Sequence, residues 1–335
     1  MVASVVMTSY KVQKTLKNYN NHIGLPLTIL GLKDHTALVV EMGMNNLGEI
    51  SVLSKIAKPT IAVITNVGTA HIGNLGSREN ILKAKLEILD GLKEEGTLII
   101  NNDNDLLHNW NRENKHYNVV SFGIENESVV MAKNIDLKEY GSEFVANIYR
   151  ENTNVEVDVS GVHFVYNALC GVAVGMALNI SKDNILKGIK EFELSKSRME
   201  IIENKQGVKI INDCYNANYD SMKASIEALS RMSAVRKIAV LGDMLELGEY
   251  STSLHEKVGS EIAKNKIDIL ITVGKEAKNI VKQAIKEGMN KNQIYELENI
   301  NEAIQIIKEQ SKKGDAILVK ASNGMKFKEI VENIK

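Results

Sequence analysis

Cysteine is nearly missing from this chain: Cys170 and Cys214 are the only two among 335 residues. So few cannot build a disulfide framework, and the count suits a reducing compartment. Neither sign of charge is in excess. Against 41 Lys and Arg stand 42 Asp and Glu, a net charge of −1, so no broad field draws in nucleic acid or an anionic membrane surface. No apolar run reaches the roughly 18 to 20 residues that cross a bilayer. The opening stretch MVASVVMTSY has no basic region, and its apolar segment is too short for a signal peptide. These absences predict a cytoplasmic protein with no nucleic-acid and no membrane partner. Repeats and low-complexity segments are absent too. What remains is an ordinary globular composition, 44% apolar and 25% charged, in a chain long enough for two domains.

Seven apolar runs end in small or polar residues. TALVVEMG (36–43), TIAVITNVG (60–68) and GTLIINND (96–103) form a first set. GVKIINDCYNAN (207–218), RKIAVLGDM (236–244), DILITVG (268–274) and DAILVKASNG (315–324) form a second. Helical patterns over 218–231, 252–265, 275–287 and 301–311 separate most of them. Near-continuous apolar strands alternating with helices predict parallel sheets covered on both faces. Residues 126–160 nearly alternate and predict antiparallel strands. FVYNALCGVAVGMALNI (164–180) then reads as a buried helix. The spacing places a domain boundary near Lys196, giving domains 1–195 and 196–335.

Ligands of open parallel sheets bind beyond the carboxyl ends of the strands. There the first set carries Glu41, then Thr65 and Asn66, with His71 just after and the amide cluster KNYNNHIGLP (17–26) upstream. A carboxylate directly after the buried run Leu38–Val40 needs a partner. Glu41 either caps a helix or pairs with a lysine, or it ligates a metal. Mg²⁺ takes oxygen ligands, whereas His71 on bare chemistry favours Mn²⁺ or Zn²⁺. The helix after His71 carries two lysines. Lys83 has Glu79 and Glu87 one turn away on either side and predicts a solvated, ion-paired face. Lys85 has Ile81, Leu82, Ile88 and Leu89 around it. It either snorkels to water or sits poorly solvated, with a lowered pKa and a reactive amine.

Taken in order, NYNNHIGLPLT, VVEMGMNNLGEI, AVITNVGTAHIGNLGSRENILKAKLEIL, SRMEII, NDCYNANYDSM and VLGDMLELGEYS resemble the Mur ligases over nearly the whole chain. EMGM…GEI, YNAN and LGDMLELG point to the branch that adds D-Ala-D-Ala to UDP-N-acetylmuramoyl-tripeptide in peptidoglycan precursor synthesis. The resemblance implies an α/β fold: a central ATP-binding domain with a parallel sheet and a small antiparallel region, then a Rossmann-like C-terminal domain. It implies ATP and Mg²⁺ as cofactors, with ATP phosphorylating the tripeptide carboxylate and the D-Ala-D-Ala amine attacking the acyl phosphate. Glu41 and His71 match magnesium ligands, so the metal preference drawn from His71 gives way. Lys85 matches a lysine that CO₂ carbamylates and that helps hold the metal, which makes these three the catalytic set. Asn66 and Asn21 match motif positions near the phosphates, Asn66 on the ATP side and Asn21 on the substrate side. Arg198 and Asp213 resemble residues that close onto ATP, and His163 and Asn167 lie in a stretch like the adenine-lining HNxxNAL. Asn216, Asn218, Ser322 and Asn323 fall in motifs assigned to substrate.

The chain departs from the family pattern in several places. Phe164 stands for an asparagine, Tyr219 for a frequent proline, and VKASNGM (319–325) for VKGSRGM, which exchanges a bidentate guanidinium for the Asn323 amide. A larger departure is the phosphate loop, G-x-x-G-K-T-like, whose N–H groups and lysine hold phosphates. None occurs in these 335 residues. Gly274–Lys275 lacks the upstream glycine and follows a strand of the second set. The expectation is therefore a chain that starts after the catalytic lysine, through a misplaced start, a disrupted gene or a cut and not as a compact, naturally loop-free relative, and that is inactive alone; a separately encoded N-terminal fragment is one candidate partner. Its first sheet would keep a gap, or re-pair, where a strand is missing. The competing readings are a ligase for another amino substrate, folate or diaminopimelate among them, and a non-catalytic nucleotide- or partner-binding remnant.

Overall fold

The computed structural model describes residues 1–335, which divide into two compact units. Met1–Gly68 and Asn74–Phe192 make the first; Thr69–Gly73 and Glu193–Lys335 make the second.

In the first unit, β1 (Val12–Lys14) and β2 (Ala37–Val39) form a parallel pair. A separate six-stranded sheet contains β3 (Ile61–Ile64), β4 (Thr97–Asn101), β5 (Asn118–Gly123), β6 (Val130–Leu137), β7 (Ser142–Ile148) and β8 (Glu151–Val157), in that spatial order. Strands β3 to β6 run parallel, and β6–β7–β8 are antiparallel. The antiparallel region expected over 126–160 is thus a continuation of the parallel sheet. β2 and β3 are not hydrogen-bonded to each other, so of the two arrangements considered for the first sheet, separate strands are found and not a new pairing. The β7–β8 turn uses Tyr149 and Arg150 with φ of 51° and 66°, as a tight two-residue hairpin requires. Lying against the sheet is the helix Val162–Ala177, whose Ala168, Leu169, Val172 and Ala173 are fully buried. The helix Val2–Met7 packs on the helix Lys182–Lys190 so closely that a Cβ at Gly188 would sit 2.5 Å from Val5 Cα.

The second unit has one sheet, built from β9 (Glu200–Glu203), β10 (Lys209–Asn212), β11 (Lys237–Gly242), β12 (Ile269–Val273), β13 (Ile294–Leu297) and β14 (Ala316–Lys320). Its order is β13-β12-β11-β14-β10-β9, parallel except for the edge strand β9. The helices Tyr219–Arg231, Ser251–Lys264, Lys278–Lys286, Ile300–Gln310 and Lys328–Ile334 complete the alternation. Val240, Ile271 and Val319 are fully buried in the strands, and Phe327 and Ile330 pack against them. The carboxyl ends of β10, β11 and β14 lie side by side, since β14 pairs with both β10 and β11. They bring the loops after Asn212, Gly242 and Lys320 together.

Candidate active site

In the first unit, Glu41 follows β2 as expected. Its backbone N–H donates to Thr15 Oγ1 at 2.9 Å, and its carboxylate accepts from Asn20 Nδ2 at 3.0 Å. Lys85 is half-buried on the helix Arg78–Leu86. Desolvation pushes its pKa down, and the Glu41 charge partly offsets this. Lys83 is exposed but makes no ion pair, contrary to its reading as a paired face. The α-helix stops at Leu86, a turn of 3₁₀-helix begins at Glu87, and the Glu87 carboxylate turns away to accept from the backbone N–H groups of Gly48 and Ser51. Those groups open the helix Glu49–Ala57, where unsatisfied N–H donors attract a carboxylate. For the same reason Ile88 and Leu89 lie in the 3₁₀ turn and not on the α-helix of Lys85.

Asn66 accepts from Asn104 Nδ2 at 2.9 Å. Asn21 Oδ1 takes the N–H groups of Ile23 and Gly24, at 3.1 and 2.9 Å, at the start of the helix Gly24–Leu30, and the residue also lines a cavity of about 350 Å³ with Gly43, Leu47 and Val52. His163 and Asn167 share one face of the core helix, one turn apart. Phe164 is buried, its ring tilted against His163 at 4.2 Å and against Phe192 at 6.4 Å. On the same helix Tyr166 donates to Asp103 Oδ2, which also takes the N–H of Ile124 and Glu125.

The second unit gathers the rest. A cavity of about 230 Å³ lies beyond the carboxyl ends of β10, β11 and β14 and is lined by Asn216, Asn218, Glu246, Ser322, Asn323 and His71. His71, in the 69–73 segment that belongs to this unit, has φ of 62°. Its Nδ1 lies 2.9 Å from Glu246 Oε2. Thr69 donates to Asp220 Oδ2 through both N–H and hydroxyl, and Gly73 N–H to Glu246 O. A Cβ on Gly73 would meet Glu246 O and Gly248 N at 2.6 Å, so only glycine permits this backbone approach. Asn218 caps the helix Tyr219–Arg231 in a reciprocal box with Ser221. Ser322 Oγ accepts from Leu245 N–H at 2.9 Å, tying two cavity loops together. Asn216 and Asn323 are the exposed amides of the wall.

Arg198 is exposed, its guanidinium 4.0 Å over the Tyr215 ring, a cation–π stack that holds a flexible cation in one place. Asp213 is almost buried. It accepts from Met199 N–H at 3.1 Å, Ser225 Oγ at 2.6 Å and Lys320 Nζ at 2.6 Å. One of these donors reaches Oδ1, so that oxygen keeps acceptor capacity for a ligand hydroxyl. Sequence reasoning missed Glu246, Asp220, Tyr215 and Lys320, although all four lie inside or beside the quoted motifs; nothing local marks which of their atoms meet.

Polar loops gathered at the carboxyl ends of a parallel sheet, following a mixed sheet with a buried helix, define an α/β architecture with a candidate ligand site at the strand ends. The Mur ligase middle domain pattern matches residues 1–175, and the Mur ligase, glutamate ligase domain pattern matches residues 197–323. The chain belongs to the Mur ligase family. It is 40% identical, over its full length and 72% of the relative's, to UDP-N-acetylmuramoyl-tripeptide–D-alanyl-D-alanine ligase of Bacillus subtilis. It is 33% identical to the Synechocystis protein of that name, covering 71% of it. Among solved structures, MurF from Acinetobacter baumannii superposes with a TM-score of 0.91 at 29% identity, over 99% of this chain and 72% of that one. MurF from Thermotoga maritima, in complex with ADP, gives 0.87 at 28%, over 99% of this chain and 75% of that one.

Proposed function

We propose that this chain carries the ATP-dependent part of a ligase that joins D-Ala-D-Ala to UDP-N-acetylmuramoyl-tripeptide in the cytoplasm. The observation that carries the reading is the second-unit cavity, where motif residues from three strand ends and from the 69–73 segment line one polar wall. In this reading the γ-phosphoryl group of ATP passes to the tripeptide carboxylate, the D-Ala-D-Ala amine attacks the resulting acyl carbon, and phosphate leaves. The Arg198 guanidinium offers a fixed positive charge to the nucleotide, and Asp213 an oxygen acceptor. Asn66, His163 and Asn167 are the further nucleotide residues of the reading. Asn21, Asn216, Asn218, Ser322 and Asn323 serve the peptide substrates. With an amide at Asn323, peptide carboxylate recognition relies on single hydrogen bonds and not on a bidentate fork.

The residues of this reading for Mg²⁺ are Glu41, which offers a carboxylate oxygen, Lys85, whose desolvation favours the neutral amine that a carbamate needs, and His71, whose Nδ1 is engaged by Glu246. When bound, the metal would neutralise charge on the transferring phosphoryl group. The domains of the reading are 1–195 and 196–335. These 335 residues hold no phosphate loop of their own.

Phosphate release from ATP with UDP-linked tripeptide, D-Ala-D-Ala and Mg²⁺ tests the reading. The chain is compared alone and joined to the part of the Bacillus subtilis relative that lies outside the match. Turnover is expected from the joined protein, dependent on both co-substrates. Each lost donor to a developing charge lowers a rate by about 10² to 10³, so the chain alone should be near background. A joined protein that turns over ATP without needing D-Ala-D-Ala would overturn the substrate assignment.

A further inference from the structure

Lys320 is the last residue of β14 and is 2% exposed, which makes it one of the largest fully buried side chains of the protein. A lysine so enclosed is rare, because taking an ammonium out of water is costly unless it is paired and hydrogen-bonded. Here its donors are directed. Nζ lies 2.6 Å from Asp213 Oδ2, 3.0 Å from the Asn216 carbonyl and 3.4 Å from the Asp213 carbonyl. These contacts stitch the end of β14 to the loop that follows β10. Asp213 carries the link further, because its Oδ1 accepts the Met199 N–H and its Oδ2 the Ser225 hydroxyl. Met199 sits in a tight turn in which Ser197 and Met199 both have positive φ, 63° and 50°. That turn presents Arg198. The Tyr215 N–H closes the circuit by donating to Ser197 O at 3.1 Å, and the Tyr215 ring lies under the Arg198 guanidinium.

We propose that Lys320 is a positioning residue: through Asp213 and the Asn216 carbonyl it holds the Arg198 turn and the Asn216–Asn218 wall of the cavity in one geometry. Packing does not require a charge at this place. A buried ion pair replaced by apolar side chains of similar volume is often neutral or stabilising, so this pair stands out for the directions in which it points its bonds. The lysine can reach a carboxylate and a carbonyl at once, which a methionine of similar length cannot. Nor does Lys320 touch the cavity, so it acts through Arg198 and Asn216 and is not itself a ligand group. The identity of the ligand rests on the ligase reading; the positioning role does not.

The test uses the full 335-residue chain as Lys320→Met, with amide hydrogen exchange as one readout and ADP titration as the other. Below the unfolding transition, the Met199 and Tyr215 amides should exchange at least tenfold faster than in the parent, while the amides of Val240 and Ile271 in the sheet centre are unchanged. ADP binding should weaken at least tenfold. Exchange at Met199 and Tyr215 that moves only in step with the central strands overturns the proposal. Should Lys320→Met not fold, the double variant Lys320→Met/Asp213→Asn removes both charges and is judged by Tyr215 alone. Failure of both to fold assigns Lys320 to the fold itself and also overturns it. A parent chain that binds no ADP counts against the nucleotide reading, and the exchange result still decides the role of Lys320.

Discussion

At the opposite end of the second sheet from the cavity, Arg236 and Asp315 form an ion pair that should govern stability and leave ligand binding alone. Asp315 is completely buried, and Arg236 is one-quarter exposed. The guanidinium grips the carboxylate with two bonds, Nε to Oδ1 at 3.1 Å and a terminal nitrogen to Oδ2 at 2.6 Å. It also donates to Gln310 O at 2.6 Å, and Lys312 N–H completes the carboxylate shell at 2.7 Å. Arg236→Met removes three donors and leaves a buried negative charge with a single backbone partner. An uncompensated buried charge of this kind costs about 3 to 5 kcal/mol. In a unit of this size each kcal/mol moves the melting temperature by about 3 °C, so the transition should fall by about 10 °C. Thermal unfolding followed by circular dichroism measures it, with ADP affinity read below the transition. Because the pair lies at the amino ends of β11 and β14, affinity should stay within about twofold. The double variant Arg236→Met/Asp315→Leu separates the causes: with no charge left behind, most of the loss should return. A double variant as unstable as the single one, or a single-variant loss under about 1 kcal/mol, would refute the reasoning from stranded charge.

Three further outcomes are expected. With ¹³C-bicarbonate, a carbamate carbonyl resonance should appear in the parent and in Lys83→Met but vanish in Lys85→Met; its survival in Lys85→Met would remove that lysine from the metal proposal. His255 is fully buried, with Nδ1 donating to Ser251 O at 2.7 Å and Nε2 accepting from Met244 N–H at 2.9 Å, and desolvation pushes its pKa down. The unfolded chain then binds the proton more readily, so stability is full above about pH 6.5 and is lost as pH falls from there through the folded pKa; His255→Gln should flatten the slope of melting temperature between about pH 7 and 5, and an unchanged slope would dismiss the histidine as its source. Finally, residues 196–335 expressed alone should unfold in one cooperative transition, since all six strands of the second sheet lie within them; a sloping, non-cooperative melt would count against that boundary.

Local pattern was enough for much of the scaffold. Near-continuous apolar runs are what a strand covered on both faces must be, and β2, β3, β4, β10, β11, β12 and β14 each fall within such a run. The near-alternation of residues 126–160 likewise told of strands with one covered face. Weaker elements escaped because their sequences lack that contrast: β5 begins with exposed Asn118, and β13 is four residues with none buried. The same limit applied to the lysine pair. Spacing separated half-buried Lys85 from exposed Lys83, yet it assumed a helix running past Leu86 and so gave Lys83 a partner in Glu87 that the 3₁₀ turn takes away.

By itself, then, the sequence determined the strongly apolar strands, the main helices that separate them, and which residues stand at strand ends with oxygen and nitrogen donors to offer. Only the tertiary structure decided who meets whom. Glu246 lies 175 residues from the His71 it holds, and Lys320 lies 107 from Asp213. Periodicity reports a residue's exposure to one face of its own element, because that is set within a few positions along the chain. It carries no information on which distant loop the crossovers of a parallel sheet bring alongside. Sheet order makes that choice, and here it sets β14 between β10 and β11, with a buried ammonium at the point where their loops converge.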